Sequence, residues 1–185
     1  AAVAYDNAQE TFTARYQHET IALAFAITEE AIEDNLYDKI STRYTKALAR
    51  SMAQTKQVKA VNILDNAFTS ATGGDGKALC ATDHPTIAGT FSNELATPAD
   101  LSETSLEQAC IDIAKMTDER GLKIAAKGQK LIIHSSQQFI AERIMKSANR
   151  VGTADNDINA LASKGMIPQG YVVNNFLSDD DAFFI

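Results

Sequence analysis

None of the nine glycines or three prolines of this 185-residue chain occurs before Gly73, although they punctuate everything after it. A first third without chain breakers must be built from long uninterrupted elements. Within it one apolar face runs through Ile32, Leu36, Ile40, Tyr44, Leu48, Met52, Thr55, Val58, Val61, Leu64 and Phe68, ten steps in 36 residues, or 3.6 per step. That is the α-helical period, and it predicts one long helix over residues 29–68. Thr28 can cap it, with Glu29, Glu30, Glu33, Asp34 and Asp38 in its first turns and Lys46, Arg50, Lys56 and Lys59 further along. The helix dipole favours that charge order. Forty residues at about 1.5 Å each reach roughly 60 Å, more than a domain of this size needs for its own core.

Ahead of the helix the period is two. Ile21, Leu23, Phe25 and Ile27 alternate with Ala22, Ala24 and Ala26, and residues 11–17 repeat the pattern through Phe12, Ala14 and Tyr16. Both stretches read as strands that could form an extended two-stranded arm, although no Asn-Gly or Gly-rich turn sets their pairing. Residues 69–101 have loop composition, with Gly73, Gly74, Gly76, Pro85, Gly89 and Pro98. Helix returns at Ser102 with Leu106, Cys110, Ile113 and Met116 inward and Gly121 placed to end it. Lys130–His134 reads as a buried strand, followed by a helix with Phe139, Ile140 and Ile144 on one side. Residues 149–164 form a long polar stretch, and Tyr171–Val173 and Phe183–Ile185 read as two more strands. The expected class is α+β, with a boundary near residue 100 between an arm-and-helix half and a compact half.

Composition narrows the function classes. With 17 Lys plus Arg against 24 Asp plus Glu the net charge is -7, and a whole-surface grip on nucleic acid is disfavoured. No window is apolar for long enough to span a bilayer, and the N-terminus lacks the pattern of a secretory signal, so a soluble, intracellular protein is expected. Cys80 and Cys110 are too few and too isolated for a disulfide scaffold or a CxxC site, and both are expected as reduced thiols. The chain starts at Ala1 and stops on the apolar run Ala182–Ile185, which suggests that both ends are cut or processed.

The chemical motifs fall short. Gly73-Gly74-Asp75-Gly76-Lys77 resembles a phosphate loop, but its spacing puts Ala71 at the first glycine and Ala78 at the magnesium-binding hydroxyl, so a tight turn is the expected reading. His18-Glu19 lacks the second His of a zinc-protease helix, since Ala22 stands there. Asp155, Asp157 and Asn159 have calcium-loop spacing, but Ala160 replaces the glycine and Met166 the terminal glutamate. Cys80 with Asp83 and His84, and His134 before Ser135 and Ser136, are the candidates for a nucleophile and a base, and a small hydrolase using His134 or Cys80 is the enzymatic alternative. No cofactor or metal site is expected. Lys39, Arg43, Lys46 and Arg50 share one sector beside the helix's apolar face, either a solvated flank or a contact with acidic residues of a neighbour.

Several phrases, in order, resemble the major capsid protein of tailed bacteriophages, of the Hong Kong 97 phage-like fold, and within it the Mu-like head subunits. They are ITEEAIEDNLYDKI, KALARSMAQTKQVKAVNILDNAF, GGDGKALCATDHP with GTFSNE, DLSETSLEQA and VNNFLSDDDAFFI, and the likeness covers about residues 20–185. The resemblance implies an extended β arm over 1–28, a peripheral domain over 29–101 with its spine helix at 29–68, and an axial domain over 102–185. The stretch 149–164 would be an axis-proximal loop. Two departures stand out: the family's N-terminal arm is largely absent, and the chain stops before the final strands that return to the peripheral domain.

By resemblance the protein self-assembles through hexamers and pentamers into an icosahedral head shell around the phage genome, without catalysis and without sequence-specific contact to the packaged DNA. A portal, a scaffold or maturation protease and decoration proteins are the implied partners. The implied location is the virion capsid, assembled in the host cytoplasm and not in a membrane. An encapsulin-like compartment is the alternative of similar fold. The subunit-interface candidates are Ile21, Leu23, Phe25 and Ile27 on the arm and Lys39, Arg43, Lys46 and Arg50 on the helix. Some such shells cross-link Lys to Asn through the arm, but residues 1–28 contain no Lys, the first being Lys39, so non-covalent assembly is expected for this segment.

Overall fold

The computed structural model describes residues 10–34, 37–70, 72–150 and 157–185. It combines helix and sheet, as the α+β reading requires. Residues 10–28 contain no strand; nothing among the described residues hydrogen-bonds to them as a ladder, and an alternating sequence without a partner edge has no sheet to join. The period-two pattern still marks an extended chain, because this segment runs back along the helix that follows it. The ring of Phe25 stacks on Tyr44 with centroids 5.6 Å apart, and Glu19 pairs with Lys59 at 3.0 Å. From Tyr44 to Lys59 is about 22 Å of helix axis, and six residues of extended chain cover about 20 Å, so the two paths match. Further on, Gly74 lies against the backbone of Thr13 and Ala14, where an added Cβ would come within 3.2 Å. Thr11 Oγ1 then donates to Glu119 Oε2 at 2.8 Å.

The helical stretch is recorded as α1, Glu29–Glu33, and α2, Tyr37–Asp65, rather than one helix from 29 to 68. A turn closes α1 at Asp34, a weak helix former whose side-chain type competes for backbone hydrogen bonds. Leu36 of the apolar face lies outside the described residues. Thr28 precedes α1 with extended backbone but makes no side-chain cap. Beyond Asp65 the chain turns through residues 66–70, with Ala67 buried and Phe68 half exposed.

The loop after α2 is folded on itself. The glycine run makes the tight turn its composition predicted: Gly73 and Lys77 share a 2.8 Å backbone hydrogen bond, Thr72 bridges Ala78, and Gly76 takes φ 76°, which a side chain would strain. A small hairpin follows, β1 (His84–Thr86) against β2 (Gly89–Phe91).

The core belongs to the second half. Helix α3, Glu103–Lys115, starts with a reciprocal capping box between Ser102 and Ser105. It turns Leu106 and Cys110 inward and ends at Met116, well before Gly121. Gly121 instead sits at φ 85° in a turn beyond the helix, where Thr117 bridges Lys123. β3 (Leu131–Ile133) is the central strand of a three-stranded sheet, flanked by β4 (Tyr171–Val173) in parallel and β5 (Phe183–Phe184) antiparallel. The parallel pair is joined by a 3₁₀ turn, Ser135–Gln137, then α4, Gln138–Lys146, and α5, Ala160–Lys164. On α4 the core-facing residues are Ala141 and Ile144, while Phe139 is 74% exposed, so it does not share their face as the sequence suggested. The polar stretch 149–164 is only partly loop. Asn159 is 1% exposed and caps α5 through a 3.2 Å bond to the Ala162 N–H, while its Nδ2 donates to the Ile144 carbonyl at 2.5 Å.

Leu106, Leu131 and Ile133 are fully buried, each worth about 1.5–3 kcal/mol in transfer from water. They form one cluster with Leu101, Cys110, Ala141, Ile144, Leu161 and Ile167. The two halves meet where Phe68 stacks on Phe184 at 5.7 Å and Asp65 Oδ1 accepts from the Ser178 N–H at 3.0 Å.

Candidate assembly surfaces

The catalytic candidates are engaged in structure. His134 caps the 3₁₀ turn: its Nδ1 accepts from the Ser136 N–H at 3.2 Å and lies 3.0 Å from Asp180 Oδ1. His84 Nδ1 lies 2.6 Å from Asp75 Oδ2, and its Nε2 lies 3.2 Å from Asn93 Oδ1. The amide of Asn93 is oriented by the Ala81 N–H and the Leu79 carbonyl, so the imidazole ties the glycine turn to the hairpin instead of facing Cys80. That pairing holds the Asp75 carboxyl below its usual range, with the hydrogen bond from His84 as the largest cause. Asp83, the third member of the proposed cluster, pairs with Lys77. Burial, then the nearby charge of Glu94, pushes the Cys80 thiol up, the opposite of an activated thiolate; burial does the same to Cys110. Both cysteines are free thiols.

Among the described residues no group of three or more His, Cys, Asp or Glu is placed to hold a metal ion, and no helix is long and apolar enough to cross a membrane. Asp155 lies outside the described residues. Asp157 joins Arg150 through its carbonyl, and Asn159 is spent on the α5 cap.

What the first half offers is surface. Along α2 only Val61 is buried. Tyr44 is 54% exposed and Val58 48%, although Phe25 lies against the first of them. On the segment before it Ile21, Leu23 and Phe25 are exposed and Ile27 is half-buried. Three large exposed apolar side chains on one short extended segment make the kind of patch that marks an interaction surface. Lys39, Arg43, Lys46 and Arg50 are all exposed on the first half of α2, and none has an ion-pair partner among the described residues.

Sequence reading missed a second surface, a half-open cleft of about 720 Å³ between the loop 92–100, α3 and β5. Its lining is largely apolar and includes Phe68, Ile113, Met116 and Phe184. Its residues come from five separate stretches of chain, so no single motif announces it. Asn159 and the pairing of His84 with Asp75 were missed as well; Asn before Ala160-Leu161 is a legible cap signal, whereas the histidine pairing depends on two loops meeting.

A family model described as phage capsid protein matches residues 10–185. Nothing among curated proteins or solved structures matches.

Proposed function

This chain belongs to the phage capsid protein family and is a structural capsid protein, and from that premise we propose that it is the major head subunit, assembling into an icosahedral shell of Hong Kong 97 phage-like architecture and Mu-like type. In this reading residues 1–28 form part of the arm, 29–101 the peripheral domain and 102–185 the axial domain, and subunits gather as hexamers and pentamers around the genome. The subunit carries out no chemistry, and a net charge of -7 suits a shell that need not adhere to its packaged DNA.

The observation that carries this reading is a 29-residue helix with a single buried residue, flanked by an extended apolar segment. A helix whose apolar stripe is fully buried only at Val61, half-buried at Ile40, Leu48, Met52 and Leu64 and exposed at Tyr44 and Val58 leaves apolar surface for another subunit to cover. Ile21, Leu23, Phe25 and Ile27 supply the apolar contact, and Lys39, Arg43, Lys46 and Arg50 the polar one. Electron microscopy of the purified protein tests it directly. Closed shells are the expected result. A verified monomer at high concentration in which residues 11–28 resist hydrogen exchange would sink the reading, because the arm would then need no neighbour.

A further inference from the structure

The charged residues that line the apolar cleft beside β5 are all of one sign. Glu94, Asp100, Asp112, Asp179 and Asp181 line it, and no Lys or Arg does. None of the five carboxylates has an ion-pair partner among the described residues; Asp112 accepts from Gln108 Nε2 and Asp181 from Gln137 Nε2, both neutral donors. Like charges gathered in a largely apolar lining repel one another and favour an occupant that brings cations together with apolar surface. The same chain displays such a surface elsewhere: Lys39, Arg43, Lys46 and Arg50 on one flank of α2, beside the half-exposed Tyr44. It cannot reach its own cleft. Arg50 is separated from Asp65 at the end of α2 by about 22 Å of helix axis, and it is the far end of that helix, through Phe68, that borders the cleft.

We propose that the acid-lined cleft receives the basic flank of α2 from a second copy of this chain. The proposal rests on the shell reading above and names the acceptor that reading lacks. Two different patches meet, and the shell reading requires them to meet head-to-tail, each chain giving its flank to one neighbour and its cleft to another so that rings close or arrays continue; a reciprocal two-fold exchange of the same patches would stop at a dimer. An isolated surface pair contributes little, but several cations over a largely apolar lining meet several carboxylates at once, and the contact weakens as salt rises.

Two measurements test it. Arg43→Glu with Arg50→Glu, and separately Asp100→Arg with Asp112→Arg, should each lower assembly about tenfold at low ionic strength while leaving the denaturation midpoint of the subunit unchanged. Combining all four substitutions should restore assembly to within about threefold of the unmodified protein, because the charges are exchanged and not lost. A fourfold variant no better than either pair overturns the proposal. The second measurement does not need closed shells. Arg43→Cys with Asp100→Cys, in a Cys80→Ser background, should on oxidation give a ladder of linked chains beyond the dimer. No linked chains, or dimers alone, would overturn the head-to-tail contact; a ladder without closed particles would leave the contact standing and refute the shell.

Discussion

Residues 10–70 and residues 101–185 solve opposite problems. Among the described residues, the only buried apolar side chains before residue 101 are Val61 and Ala67, while Leu106, Leu131 and Ile133, all fully buried, sit in the second half. The second half closes a core by crossing α3 and α4 over a three-stranded sheet, bringing together residues far apart in sequence. The first half spends a comparable length of chain on an extended segment lying along a helix, and much of the apolar surface of both remains exposed or half-buried. The difference teaches that a strong helical period does not by itself signify a core. It states which face is apolar, and the partner that covers that face can lie in another molecule.

The sharpest way to break the comparison is to damage the half that carries the core. Ile133→Ala should cost about 2–5 kcal/mol and lower the midpoint of chemical unfolding, with the second half losing its protection from hydrogen exchange. A cost below that of an exposed substitution would mean that the cluster around β3 is not the subunit's source of stability.

Next comes Asn159→Ala, which removes both the α5 cap and the bond to the Ile144 carbonyl, at about 1–3 kcal/mol. Asn159→Asp should recover the cap but not the donated bond, and so lie between the two in thermal melting.

Against these, Phe25→Ala should change the stability of the isolated subunit by no more than about 1.5 kcal/mol, the worth of one exposed aromatic pair. The same substitution should impair assembly. Equal effects on folding and assembly would erase the distinction between the halves.

The smallest effect is a pH dependence. Asp75 is depressed by its pairing with His84, so its contribution is fully present above the ordinary carboxylate pKa and is lost as pH falls through its lower folded value. Asp75→Asn should therefore flatten the acid limb of the unfolding profile for the loop 72–94. An acid limb unchanged by the substitution would mean that the pairing contributes nothing to holding that loop.

Local signals were legible in the sequence. Ser102 opens α3 through a capping box, Gly76 makes a turn at positive φ, and the apolar runs at 131–133, 171–173 and 183–184 are strands, because each depends on neighbours in the chain. The candidate surfaces were legible in part: the exposed flank Lys39–Arg50 follows from helical spacing, as does the alternation of Ile21 to Ile27. Tertiary structure alone decided the rest. Whether Ile21 to Ile27 pair as a strand depends on a partner edge that the described residues of the subunit do not provide. That Phe139 points outward depends on how α4 seats against the sheet. The acid-lined cleft exists because Phe68, Asp100, Asp112 and Phe184, distant along the chain, converge where α3 meets β5. Period and capping are properties of a few consecutive residues, whereas pairing, facing and concavity depend on contacts between segments that only the closed fold brings together.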